Sequence, residues 1–331
     1  MDKQYASAGA GMHMLAMEIM IGYTKCALTT GFEHMTRVRR IGIDPAIERY
    51  KDKNSLFYHP EYDMVNSVNM LQTAQRLYEE EIPKFTKDDL DKFGVRSHNL
   101  TIRSQEEKWF TSRVNGGEII PIEGHVEESM MVERDMAARK STLEGVAGLH
   151  RISIPFYLEK NGGKNGYFER EGTEEGVITA GNSSPLNAGA TAAVLMEVEG
   201  AEKKNLEPLA RIVSIGWAGG DPRVMGRGPV PATRKALELA NLTAVDFNFW
   251  EINEAFCIVA LNCMNKFNIP EKQVNIKGGS TAIGHPLGAT IIRLTGTLAR
   301  ILREKKGRYG VDNACVGGGQ GIATIIENLD A

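Results

Sequence analysis

The chain has 331 residues, 42% of them apolar and 24% charged, a composition that fits a globular protein of about two domains. Its formal charge is −3, with acidic and basic residues interspersed, which argues against a nucleic-acid groove or a polybasic membrane arm; neither nucleic acid nor membrane is expected as a partner. No apolar run reaches the ~18 residues that span a bilayer.

From the start, DKQYASAGAGMHML (residues 2–14) places small residues around one ring, Tyr5, so that a turn can approach a ligand closely at a helix start. Residues 7–22 carry apolar side chains at helical spacing and stop at Gly22, a C-cap residue. Asp2, His13 and Glu18 interrupt this Met-rich segment, so it is expected to be a buried amphipathic helix and not a signal peptide. KCALTTGFE next reads as a buried strand. From Met35 to about Gly176 the chain turns charged and irregular, with helices expected over 65–82, 86–109 and 126–139 and a Gly-rich hairpin in EKNGGKNGYFEREG. This stretch has the character of an insertion or cap.

GVITAGNSSPLNAGATAAVLMEVEG then gives a strand, a polar turn and a small-residue helix or strand. LARIVSIGWAG is a strand and PVPATRKALELANL a helix with Pro231 in its first turn. VDFNFWEINEAF runs from strand to helix. VNIKGGSTAIGHPLGATIIRLTGTLARILREKK is a strand, a Gly-rich loop and a long helix, and YGVDNACVGGGQGIATIIEN a strand, a sharp turn and a closing strand. Strands alternating with helices imply α/β layering with functional loops at strand ends. Cys26, Cys257, Cys263 and Cys315 show no C-x-x-C spacing, so reduced thiols in a cytoplasmic setting and no metal centre are expected.

Three motifs near the end carry chemistry. In NEAF, Asn253 can hold a water or a carbonyl, or cap the helix that follows. In GGSTAIGHPLGAT, glycines and Pro286 frame His285, which is either structural or aimed at a pocket to move a proton. In CVGGGQG, Cys315 can be a base, a nucleophile or a small buried hydrophobe, and the glycines can present N–H groups to an oxyanion.

Taken in order, TTGFEHMTR, TAGNSSPLNAGA, LARIVSIGWAGGDPRVMGRGPVPATRKAL, INEAFC, GGSTAIGHPLGAT and RYGVDNACVGGGQGIATIIE resemble thiolase segments over nearly the whole chain. The resemblance implies an α/β fold of two similar halves on five-stranded mixed sheets: residues 1–205, with a loop domain at 36–176 and an incomplete N-terminus, and residues 206–331. It implies Claisen condensation of acyl-CoA or its thiolytic reverse, as in fatty-acid β-oxidation. Coenzyme A thioester is then substrate, with no permanently bound cofactor. The assembly is a homodimer or homotetramer, or includes a partner chain that completes the first half.

By resemblance, Cys315 takes the α-proton, Asn253 (through a water) and His285 hold the thioester oxygen, His285 also activates the nucleophile, and the Gly317 N–H serves a second oxyanion hole. Ser184, Leu186 and Phe256 contact pantetheine, with Met70 beside Asn69 where the family has His-Met, and Arg139 or Lys140 meets the nucleotide phosphates. Cys315 needs a positive or dipolar environment to act at neutral pH, which the Gly-rich turn is expected to supply. Counting back from GFEHMTR, the nucleophilic cysteine falls on Tyr5, and Ser7 is a turn residue. A phenol with a pKa of ~10 is a poor nucleophile, and an acyl-tyrosine does not return its acyl group as a thioester does. The chain is therefore expected to be either a thiolase with impaired activity or a catalytically silent acyl-CoA-binding or scaffolding subunit.

Overall fold

Two helices and a strand rich in small side chains open the structure, a computed structural model that describes residues 3–37, 49, 52–56, 58, 69–81, 84–111, 117–125, 129–153, 158–160, 167–169 and 175–331. Helix α1 (Ser7–Met20) leads into β1 (Cys26–His34), and α2 (Met70–Glu80) follows. Helix α3 (Lys87–Glu106) starts at a capping box in which Thr86 and Asp89 satisfy each other's backbone N–H. A hairpin of β2 (Ile122–His125) and β3 (Ser129–Val132) and the short helix α4 (Leu143–Ala147) come next. Strands β4 (Arg151–Ser153) and β7 (Glu175–Thr179) pair with each other, as do β5 (Leu158–Lys160) and β6 (Tyr167–Glu169). Strand β8 (Ala188–Met196) then lies antiparallel to β1 along its whole length.

The C-terminal half supplies the sheet that positions the site. Its strands are β9 (Arg211–Gly219), β10 (Phe249–Ile252), β11 (Tyr309–Val316) and β12 (Gln320–Glu327), in the order β10-β11-β12-β9. The β10/β11 pair is parallel and the other two are antiparallel. Helices α5 (Val198–Lys203), α6 (Pro229–Ala240), α7 (Cys257–Phe267), α8 (Ser280–Ile283) and α9 (Thr290–Lys305) complete the order. Strands β11 and β12 are buried from their second residue onward, the polar Asp312, Asn313 and Thr324 included. Trp250, Ile252, Ile258, Val259, Val311 and Ile325 fill one core, and Leu298, Leu302 and Ile326 fill another beneath α9.

Close backbone approach locks α1 onto this frame. A Cβ at Gly9 would lie 2.5 Å from Ile291, and one at Gly31 would lie 2.2 Å from the Gly288 carbonyl. The Ala8 N–H donates to that same carbonyl at 3.2 Å. The run of small residues after Tyr5 therefore lets the start of the chain dock against the loop that carries His285.

Four expectations need correction. Residues 129–132, expected to be helical within 126–139, form strand β3, because Met130 and Met131 pair across to Gly124 and Glu123. VNIK makes one bridge, Val274 to Trp250, in place of a strand, since Asn275 turns with positive φ. Strand β1 is half-buried and not fully buried: Leu28 is 63% and Phe32 80% exposed on its outer face. Among the described residues the sheet of the second half has four strands where five were expected, while the first half, expected to lack part of its sheet, pairs β1 with β8 beside the small pairs β2/β3, β4/β7 and β5/β6.

Candidate active site

Asn253 follows β10 and precedes α7, and its side chain does not cap that helix. Phe256 holds the cap position, without a side-chain bond. The Asn253 amide is buried and points at His285, with Nδ2 3.2 Å from Nε2. The other end of the amide is set by a chain of donors. Ser280 Oγ donates to Asn253 Oδ1 at 2.7 Å and accepts from Arg293 at 2.8 Å, and Arg293 also reaches the buried Glu251 at 3.4 Å. Burial pushes the Glu251 carboxyl well above its ordinary range, and Arg293 opposes this only in part.

His285 sits at the mouth of α9. Thr290 Oγ lies 2.6 Å from Nδ1 and donates its own proton to the Pro286 carbonyl at 2.9 Å. With its hydroxyl proton committed, Thr290 can only accept, so Nδ1 carries the imidazole proton and Nε2 presents a lone pair to Asn253. Burial, with Arg293 adding to it, lowers the His285 pKa to about 3, so the ring is neutral at physiological pH. This tautomer suits a base; as a donor in an oxyanion hole, Nε2 must first gain a proton.

The loop that carries His285 hangs on Glu254, which sequence reading did not single out. One carboxylate oxygen accepts from Ser97 Oγ at 2.6 Å and from the Thr281 N–H at 3.0 Å, and the other accepts from Asn275 Nδ2 at 2.6 Å. Glu254 adjoins Asn253 in an otherwise apolar turn, and a carboxylate in such a place implies buried donors around it. Thr290 and Arg293 were also missed; their i, i+3 spacing puts both on one face of α9.

Cys315 is the penultimate residue of β11, and a turn at Gly318 and Gly319, φ +78° and +79°, returns the chain into β12. The expected electrostatic activation by this turn is not what the structure displays. Burial pushes the Cys315 thiol up to about 12, against a weaker backbone hydrogen bond. The Gly317 N–H, expected at an oxyanion hole, donates to the Gln4 carbonyl at 3.1 Å.

Tyr5 completes the group. Its φ is +72°, a region that costs a non-glycine residue about 1–3 kcal/mol. The ring stacks on His285 with centroids 5.7 Å apart and planes at 30°. A Cβ at Gly317 would meet the Tyr5 ring at 3.2 Å and Gln4 at 2.7 Å. The phenol therefore fills the corner between His285 and the Cys315 turn. Ser7 Oγ bonds back to Lys3 O at 3.2 Å as a turn residue.

The proposed pantetheine residues are brought together in part. The Ser184 N–H and Oγ both donate to the Ala255 carbonyl, at 3.0 and 3.1 Å, and Ser183 bridges to Phe256, so Ser184 and Phe256 adjoin. Leu186 is exposed. Met70 opens α2 against the main core, where the side chain of Asn69 accepts from Leu71 N as the helix cap. Arg139 is exposed and bonds to His98 and Ala137, and Lys140 pairs with Glu106. Among the described residues no hydrogen bond or ion pair joins Arg139 or Lys140 to Asn253, His285 or Cys315.

Among the described residues no helix is long and apolar enough to cross a membrane. The family profile for the thiolase N-terminal domain matches residues 1–155, and that for the thiolase C-terminal domain matches residues 206–328. A 3-ketoacyl-CoA thiolase from Marinobacter nauticus is 38% identical over 331 aligned residues, covering 98% of this chain and 75% of the relative. One from Hahella chejuensis is 35% identical, with the same coverage. The dimeric peroxisomal thiolase of Saccharomyces cerevisiae superposes with a TM-score of 0.82 at 28% identity, covering 99% of this chain and 75% of the other. Human mitochondrial 3-ketoacyl-CoA thiolase in complex with CoA gives 0.78 at 29% identity, covering 99% and 77%.

Proposed function

The chain belongs to the thiolase family, and from that premise we propose that it handles acyl-CoA and keeps the proton-abstracting half of the thiolase reaction while Tyr5 withholds the acyl-transfer half. In this reading residues 1–205 and 206–331 are its two halves, coenzyme A thioester is substrate, and the protein is a cytoplasmic homo-oligomer. The observation that carries it is the stacking of Tyr5 on the neutral His285, 5.7 Å away; counting back from GFEHMTR, position 5 is read as that of the family's nucleophile.

In the retained step the Cys315 sulfur removes a proton from the carbon next to the thioester. The electron pair moves to the thioester oxygen, which the Asn253 amide N–H, now aimed at the bare Nε2 of His285 3.2 Å away, is placed to hold. A thiol whose pKa is pushed up to about 12 is seldom ionised at pH 7 but is a strong base when it is. In the withheld step a nucleophile would displace coenzyme A and hold the acyl group as a thioester. Tyr5 offers only a phenol there, and the neighbouring Gly317 N–H is taken by Gln4. That engaged N–H also favours the second reading, a silent acyl-CoA-binding subunit.

Two assays separate these. Exchange of the acetyl-CoA methyl protons in heavy water is expected to proceed and to drop on Cys315→Ala; exchange indifferent to that change removes Cys315 as the base, and no exchange at all supports the silent subunit. Thiolysis of acetoacetyl-CoA is expected to be weak and to rise on Tyr5→Cys. Strong turnover by the Tyr5 protein would overturn the assignment of position 5.

A further inference from the structure

A circuit of hydrogen bonds leaves α9 at Arg293 and returns to it at Thr290, one turn away. Arg293 donates to Ser280 Oγ at 2.8 Å, and Ser280 donates to Asn253 Oδ1 at 2.7 Å. Asn253 Nδ2 lies 3.2 Å from His285 Nε2, and His285 Nδ1 lies 2.6 Å from Thr290 Oγ. Ser280, Asn253, His285 and Thr290 are at most 2% exposed, so these groups must satisfy one another.

Hydroxyls, amides and neutral imidazoles all both donate and accept, so the inner members can run in either direction. Reversed, Thr290 donates to Nδ1, the Nε2–H donates to Oδ1, and the amide, turned over, donates to Ser280. Thr290 holds the forward direction at its end by donating to the Pro286 carbonyl, which Ala289 N and Thr290 N also serve. At the other end stands a guanidinium, which has donors and no acceptor. In the reversed circuit both Arg293 and Asn253 would donate to Ser280, whose own proton would find no acceptor in the circuit. Arg293 is anchored on Glu251 at 3.4 Å, and its charge adds to the burial that lowers the His285 pKa to about 3, so the ring stays neutral.

We propose that Arg293 is a positioning residue that fixes the direction of this circuit, and through it the His285 tautomer and the end of the Asn253 amide that faces the thioester oxygen. Its bearing on that oxygen rests on the function proposed above; its hold on the tautomer does not.

The test reads His285 by long-range ¹H–¹⁵N correlation at pH 7 in the whole chain labelled with ¹⁵N-histidine, its signals being those lost on His285→Gln. The parent is expected to show Nδ1 protonated and Nε2 bare. Ser280→Ala cuts the circuit and leaves Arg293 on Glu251; either direction then strands one end of the amide, so the two populations are expected within about tenfold of each other, and the Nδ1 and Nε2 shifts move toward each other. Arg293→Gln, made together with Glu251→Gln so that no buried carboxyl is stranded, can accept from Ser280 and is expected to displace the shifts likewise. Glu251→Gln alone, and Arg293→Lys, which only donates, are expected to keep the parental shifts. In Ser280→Ala and in Arg293→Gln with Glu251→Gln, kcat for acetyl-CoA exchange is expected to fall at least about twofold with KM held. Parental shifts in either of these two proteins, or displaced shifts in Arg293→Lys, would overturn the role of Arg293. Displaced shifts with undiminished exchange would overturn instead the Asn253 N–H as donor to the thioester oxygen.

Discussion

Replacing Thr290 with valine tests the tautomer on which the role of His285 depends. Valine keeps the shape of threonine but removes the oxygen that accepts the His285 Nδ1 proton at 2.6 Å. The Pro286 carbonyl that Thr290 also serves keeps two backbone donors, Ala289 N at 2.9 Å and Thr290 N at 3.1 Å, so the loss falls on the imidazole. If the proton stays on Nδ1 it is orphaned in a buried site, at a cost of roughly 1–3 kcal/mol. If it moves to Nε2 it faces the Asn253 N–H, donor against donor. Unfolding 331 residues carries an entropy of about 0.7 kcal/mol/K, so a loss of about 2 kcal/mol lowers the melting temperature by about 3 °C. Calorimetry gives the stability, and long-range ¹H–¹⁵N correlation spectra give the tautomer. The parent protein is expected to show a protonated Nδ1 and a bare Nε2, with no protonation of the ring until the pH nears 3, the value to which burial lowers it. A proton on Nε2 in the parent, or an unchanged melting temperature in the variant, would refute the reasoning.

Three further outcomes follow from the same geometry. Glu254→Ala strips the acceptor from three buried donors, and urea titration should register a loss of about 4 kcal/mol; a loss under about 1 kcal/mol would mean that the loop does not hang on this carboxylate. Asp312 is raised to about 7 by burial, so its contribution is complete below the unfolded value near 4 and is lost as the pH rises through 7. Asp312→Asn should therefore gain stability relative to the parent between pH 4 and 8, by as much as about 4 kcal/mol, whereas a pH-independent difference would show that the carboxyl is solvated. Gly31→Ala forces a Cβ to within 2.2 Å of the Gly288 carbonyl and 2.4 Å of Ala8; it should destabilise the chain by roughly 1–3 kcal/mol and lower acetyl-CoA exchange by moving the His285 loop, and a silent substitution would count against the docking of α1.

The sequence alone determined the α/β alternation and most strand and helix positions in the second half, because these rest on local signals. Glycines mark turns such as Gly318–Gly319, and apolar periodicity marks α9. Residues 129–132 and VNIK went astray because a strand exists only by its partner: Met131 finds Glu123, whereas Val274 finds Trp250 and nothing more.

Only the tertiary structure decided what these residues are to one another. That Asn253 is no helix cap follows from Ser280, which turns its amide toward His285. The His285 tautomer follows from Thr290, and the suppressed acidity of Cys315 follows from burial that outweighs the glycine turn. Glu254 could not be read as a support while Ser97, Asn275 and Thr281, distant in sequence, had no shared address. The physical reason is common to all four: a motif names donors, acceptors and acids, but protonation and orientation are set by the desolvation and the partners that folding brings from elsewhere in the chain.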